Sequence, residues 1–244
     1  MVASPLAVPT KSQHLPVKAT NWLENILFVA IPALVLVAVY YYISPALAQY
    51  ISMAVARMLA TTLLMIGLLV AAAVGFVNEG HPLTWEALAT RFRLTGLSKT
   101  GWLWAAGGLV VYVALAVVAN GVVPSIYKAI GFTPPIETAE PWGLSALPLV
   151  AIMLVLNILG EEIWWRGYLL PRQEAQFGKS AWLWHGILWA FFHVFKWWTI
   201  PAMLVVCPVV PCVAQRTRST WPGMLLHFVV NGLGILVTVI QLLR

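Results

Sequence analysis

Two adjacent carboxylates, Glu161 and Glu162, close an apolar stretch that a bilayer would accept, Leu156-Asn157-Ile158-Leu159-Gly160-Glu161-Glu162-Ile163-Trp164-Trp165-Arg166. An acidic residue at the centre of a membrane helix costs about 2.5 to 3.5 kcal/mol on insertion scales, so such a pair is neutralised by partners or kept for chemistry. Partners are few. There is no Asp, the only acids are eight Glu, and beyond Glu140 the chain offers Glu161, Glu162 and Glu174. Glu162 and Arg166 are spaced i,i+4 with the acid N-terminal, the favoured orientation for a helical ion pair. Glu161, about 100° round the helix, lacks that partner, and its natural complements are two later histidines inside apolar segments, His193 and His227.

His193 lies one helical turn after Trp189 in Trp189-Ala190-Phe191-Phe192-His193. His227 and Asn231, also i,i+4, project from one face of the last apolar segment. Taken singly, each of these has an ordinary interhelical hydrogen-bonding explanation. Together they are nearly all the embedded polar side chains of the second half, and buried polar groups seek one another. A cluster of Glu161, His193, His227 and Asn231 around a water is a hydrolytic site: the carboxylate accepts the proton of water, His193 holds the water or shares its proton, and His227 with Asn231 donates to an oxyanion. No Ser or Cys nucleophile is needed, and an aspartic dyad is impossible. Glu161, His193 and His227 also form a three-ligand zinc set with water as the fourth ligand, although no His-Glu-x-x-His helix is present. No cofactor is required by the first reading; zinc is the alternative. His185, near the start of its segment, is read as structural.

Glu161-Glu162-x-x-x-Arg166, the aromatic-x-x-x-His from Trp189 to His193, and His227-x-x-x-Asn231 occur in that order on successive apolar segments. They resemble the three motifs of the CAAX-protease and bacteriocin-processing (CPBP or ABI) family of intramembrane endopeptidases, over about residues 145–240. The resemblance implies a helical membrane fold in which Glu161 and His193 activate water, His227 and Asn231 bind the oxyanion, and Glu162 and Arg166 support them. It also implies a substrate pocket to which Trp189 and Trp165 contribute; Trp189 stands where the family usually has Phe, and its larger ring narrows the cavity. Substrates implied are membrane-associated proteins or peptides: a prenylated CAAX-like tail, a leader peptide or a C-terminal sorting anchor. The family's immunity members make a non-catalytic bacteriocin-immunity or membrane interaction protein the alternative. A proton-coupled transporter would use the same ionisable residues, but no inverted repeat is apparent.

The elements that must position these residues follow from composition. The 244 residues are 61% hydrophobic and 9% charged, which places the chain among polytopic all-α membrane proteins with the active site inside a helical bundle. Apolar spans are expected at 22–43, 47–77, 102–123, 143–162, 181–199, 201–214 and 223–243, about seven in all (six to eight). Residues 1–20 read as a mobile cytoplasmic tail and 21–244 as one integral membrane domain. The polar stretch 78–101 reads as a short amphipathic helix on the membrane or a loop, and Pro124 opens a linker to Pro141 carrying Glu137 and Glu140. The net charge of +6 is scattered at segment ends and forms no nucleic-acid face. Lys11 and Lys18, then Arg91, Arg93 and Lys99, then Arg172 and Lys179, then Arg216 and Arg218 fall on alternate loops, so the positive-inside rule puts all four groups on the cytoplasmic side, in a bacterial cytoplasmic membrane. Most of the Trp residues, Trp164 and Trp165 included, read as an interfacial belt. Cys207 and Cys212 read as buried small hydrophobes.

Overall fold

A computed structural model describes residues 17–135 and 142–243. Most of the expected tail, and the linker acids Glu137 and Glu140, lie outside the described residues. Within them every regular element is a helix, as lipid demands: with no water to bond, each backbone polar group must be satisfied inside its own segment. The elements are α1 (Trp22–Leu47), α2 (Met53–Asn78), α3 (Trp85–Arg91), α4 (Lys99–Ala129) and α5 (Leu147–Glu162), which runs through a π turn (Ile163–Leu169) into α6 (Leu170–Phe177). There follow α7 (Ala181–Phe192), α8 (Ile200–Val206), α9 (Val209–Thr217) and α10 (Trp221–Leu242). Side chains of Asn21, Ser52, Thr84 and Ser98 accept from the first-turn amides of α1 to α4, which sets where those helices begin.

Five helices among the described residues are long and apolar enough to cross a membrane, or six, the lower end of the expected six to eight, if the bent pair α8 and α9 forms one span. Prolines and a glycine account for the difference in boundaries. Pro45 does not end the first span, because a π-helical stretch Val39–Ile43 opens the helix just ahead of it and α1 continues to Leu47. Pro124 is carried inside α4, so no loop opens there. The stretches expected as fourth and fifth spans fall in one helical run, Leu144–Phe192. That run reverses at Gly178, whose φ of +59° favours glycine. Gln173 and His185 on either side of it are hydrogen-bonded at 2.6 Å, whereas the same residues on a straight helix would stand about 18 Å apart. At 12 residues, α7 covers about 18 Å of a hydrocarbon core about 30 Å thick. It therefore stops short, with His193 at its C-cap.

Contacts gather the four basic loops at one end of the bundle. The Thr20 amide donates to the Arg172 carbonyl at 3.3 Å and the Thr220 amide to the Arg93 carbonyl at 2.9 Å. Arg93 forms a two-pronged pair with Glu174, both bonds 2.7 Å. Arg91 binds Glu79 through Nε at 2.6 Å and Nη2 at 2.8 Å, and thereby docks α3 against the end of α2. Burial alone would raise the Glu79 carboxyl, but the Arg91 bond and charge hold it below its ordinary value of 4.5. At the far end, Tyr127 Oη donates to the Trp198 carbonyl at 2.6 Å and Tyr41 Oη to the Phe195 carbonyl at 2.9 Å.

Three of the expected belt residues, Trp142 among them, are interior. Trp164 and Trp165 are 5% and 1% exposed, Trp164 stacking on Tyr168 and Trp165 meeting Phe192 edge-on. Their positions follow from the helix not ending at Glu162, so the next residues stay in the bundle. Gly160 brings α5 close to α2: a Cβ there would lie 2.7 Å from the Met65 carbonyl oxygen.

Candidate active site

Glu161 and Glu162 occupy the last turn of α5, 5% and 0% exposed. Neighbouring in sequence, they face different partners. Glu162 Oε1 accepts from Arg166 Nη1 at 3.0 Å and from His227 Nδ1 at 3.0 Å. Glu161 Oε1 accepts from Asn157 Nδ2 at 3.1 Å, and its Oε2 accepts from Trp189 Nε1 at 3.1 Å. The i,i+4 ion pair is thus formed as its spacing requires. The histidine on α10 turns to Glu162 and not to Glu161, because Glu162 faces the first turn of α10. There Gly223 leaves room for its carboxylate: a Cβ on Gly223 would collide with Glu162 Oε2.

Asn157 has no role in the expectations from sequence, yet it joins two of the motifs. It donates to Glu161 and accepts from Asn231 Nδ2 at 3.1 Å. The signal was its i,i+4 spacing to Glu161, the same spacing that identified Arg166. Trp189 is the other junction. Its indole N–H bonds Glu161, its face carries the Arg166 guanidinium at 3.7 Å, and its ring lies edge-on to His193 and His227 at 5.7 and 6.3 Å.

Trp189, His193, His227 and Asn231 line an internal cavity of about 170 Å³, with Tyr112 and Cys207 supplying part of the wall. Glu161 is not among the lining residues; it is joined to the cavity through its bond to Trp189. His193 Nδ1 meets the Trp189 carbonyl at 3.0 Å. A carbonyl and a carboxylate only accept, so in both histidines Nδ1 carries hydrogen and the Nε2 atoms are the ones left for chemistry. Trp165 is not among the cavity-lining residues; it packs against His185 and Phe192. His185 is not interfacial: it is 1% exposed and held by Gln173, itself bonded to Asn25 at 2.8 Å.

The π turn Ile163–Leu169 follows directly on the acids. Widening a helix frees carbonyls from the regular ladder, and such turns recur at functional sites. Here Arg91 Nη1 donates to the Gly167 carbonyl at 3.0 Å and Nη2 to that of Tyr168 at 3.3 Å. The basic end therefore reaches in to hold the segment that carries Arg166.

Zinc would need Glu161, His193 and His227 within bonding range of one point. Among the described residues no three His, Cys, Asp or Glu side chains are grouped in that way. As placed, the residues do not fit the ion.

Residues 143–233 match the family model described as Rce1-like, type II CAAX prenyl endopeptidase, and this is the CPBP family that the motifs resemble. The matched segment contains both acids, Asn157, Trp189, both cavity-lining histidines and Asn231. No curated protein and no solved structure matches the chain. The match supports a CAAX-type intramembrane endopeptidase acting on a membrane-associated protein, and with the apolar helices it makes the chain an integral membrane protein.

Proposed function

We propose that the protein hydrolyses a peptide bond of a membrane-associated protein or peptide, such as a prenylated CAAX-like tail, with water activated by Glu161 and His193 and no metal required. The observation that carries the reading is the 170 Å³ cavity lined by four motif side chains, Trp189 and His193 from α7 and its C-cap and His227 and Asn231 from α10. Glu161 already binds two donors, but a carboxylate offers about four acceptor sites, so it retains capacity for the water proton. The hydroxide oxygen adds to the acyl carbon, His227 Nε2 and Asn231 Nδ2 donate to the oxyanion, and the proton passes to the leaving amine as the C–N bond breaks. For His227 to donate through Nε2 while Nδ1 serves Glu162 it must be the imidazolium. Two anions, Glu161 and Glu162, are then balanced by two cations, Arg166 and His227.

The basic end, which lies six residues of α10 (about 9 Å) from His227, is the cytoplasmic face in this proposal. The start of α1, tied to Arg172 through the Thr20 amide, is at that end too. Cleavage then falls just inside the cytoplasmic leaflet, where a lipidated tail would be anchored.

The test uses the full chain in lipid nanodiscs with a farnesylated CAAX peptide, following release of the C-terminal tripeptide by mass spectrometry. Wild type releases it, Glu161→Gln loses about 10²-fold or more, and neither a chelator nor metal depletion verified by elemental analysis changes the wild-type rate. Absence of cleavage by wild type, or unchanged cleavage by Glu161→Gln, refutes the reading; loss with chelator that zinc restores refutes its metal-free form.

A further inference from the structure

Outside the site, a groove of about 710 Å³ runs between α4 and the bent pair α8 and α9. It lies on the other side of the α8–α9 wall from the active-site cavity, whose own lining includes Cys207. Along α4 it follows one stripe from Thr100 to Leu115, about 22 Å of helix, comparable to one leaflet with its interface. Midway, Gly107 and Gly108 remove the side chains that would fill it. Pro208 and Cys212 are on the opposite wall.

The groove is polarised. Its depth is aliphatic, while the mouth at the basic end has the indoles of Trp104 and Trp182 and the Thr100 hydroxyl, residues suited to headgroup level. The Arg216 guanidinium stands 5.9 Å over the Trp104 ring and one turn beyond Cys212. Three other arginines at this end are paired with acids: Arg91 with Glu79, Arg93 with Glu174, and Arg172 with Glu24. Among the described residues Arg216 meets no carboxylate. Lys99, exposed beside Thr100, adds a second cation at the positive end of α4.

We propose that this groove holds an anionic phospholipid from the leaflet at the basic end, one acyl chain lying along the α4 stripe and the phosphate bound by Arg216 with Lys99. An apolar slot of leaflet depth fits an acyl chain; a cation that no internal acid neutralises, set between two interfacial indoles, fits a phosphate. The proposal does not depend on the protein being a protease.

Full-length protein is reconstituted from vesicles containing equal phosphatidylglycerol and phosphatidylcholine, re-extracted in mild detergent, and its retained lipids are quantified by native mass spectrometry. Wild type keeps phosphatidylglycerol over phosphatidylcholine by about fivefold, the selectivity of one interfacial cation. Arg216→Gln keeps as much lipid but loses the preference. Gly107→Leu loses the retained lipid of both kinds; a Cβ at Gly107 meets nothing within 4 Å, so this variant fills the groove without touching a neighbour at its first carbon. Val111→Trp fills it independently if the first variant misfolds by circular dichroism. Equal retention of the two lipids by wild type, undiminished retention in both folded groove-filled variants, or displacement of the lipid by a farnesylated peptide overturns the proposal.

Discussion

Two Glu–Arg pairs are buried among the described residues, and they are built differently. Glu79 and Arg91, at the basic end, are joined by two bonds, and Arg91 spends its remaining Nη donors on the carbonyls of Gly167 and Tyr168. Glu162 and Arg166, inside the bundle, share one bond of 3.0 Å. There Glu162 Oε2 and Arg166 Nε and Nη2 are buried with no hydrogen-bond partner among the described residues. A buried pair that satisfies its hydrogen-bonding groups works as a fastener. One that leaves donors and an acceptor open, against a histidine that lines a cavity, costs stability and is kept for something other than folding.

The largest separation between the two pairs is expected from Arg91→Met. It strands the Glu79 carboxylate and two carbonyls, and denaturant unfolding in detergent should show a loss of about 3 to 5 kcal/mol, with a much smaller fall in cleavage per folded molecule than Glu162→Gln gives. Glu162→Gln reverses the pattern. Gln keeps an acceptor for Arg166, so stability falls by less, but His227 loses its anion, and tripeptide release should drop about 10² to 10³-fold, as when an oxyanion donor is removed. Equal stability losses in the two variants would erase the distinction. Asn157→Leu unties Glu161 from Asn231; leaving such buried groups unpaired costs about 1 to 3 kcal/mol, and a fall in cleavage of at least about tenfold with unchanged peptide binding is expected. Gly223→Ala should act in the same direction by pushing Glu162 off α10. The smallest effect is pH dependence. Because the folded Glu79 carboxyl lies below its ordinary 4.5, the stability it contributes is present above that value and lost as pH falls through the lowered one. Thermal midpoints measured on descent from neutral to acid should fall more steeply in wild type than in Glu79→Gln.

Spacing along one helix was readable in the sequence, and partnership between helices was not. The i,i+4 rule gave Glu162 to Arg166, and counting embedded polar residues brought His193, His227 and Asn231 to one interior. Which acid His227 would meet depended on the rotation of α5 against α10, which Gly223 decides by a missing Cβ that no periodicity reports. Asn157 was visible by the same rule as Arg166 but reads as an ordinary polar residue in an apolar run. The span boundaries slipped where local rules were overridden: Pro45 and Pro124 stayed helical, and the stretch after Glu162 remained inside because Arg166, Arg172 and Gln173 all found interior partners.

The π turn has a consequence for the phase of the chain. Upstream of it Glu162 faces α10; downstream, Gln173 faces His185 and Asn25. Closing Ile163–Leu169 to an ordinary helix without removing a residue would rotate everything beyond it by about 100°. The two ends could then no longer both face inward, so the width of this turn is as fixed a part of the site as the carboxylates it follows.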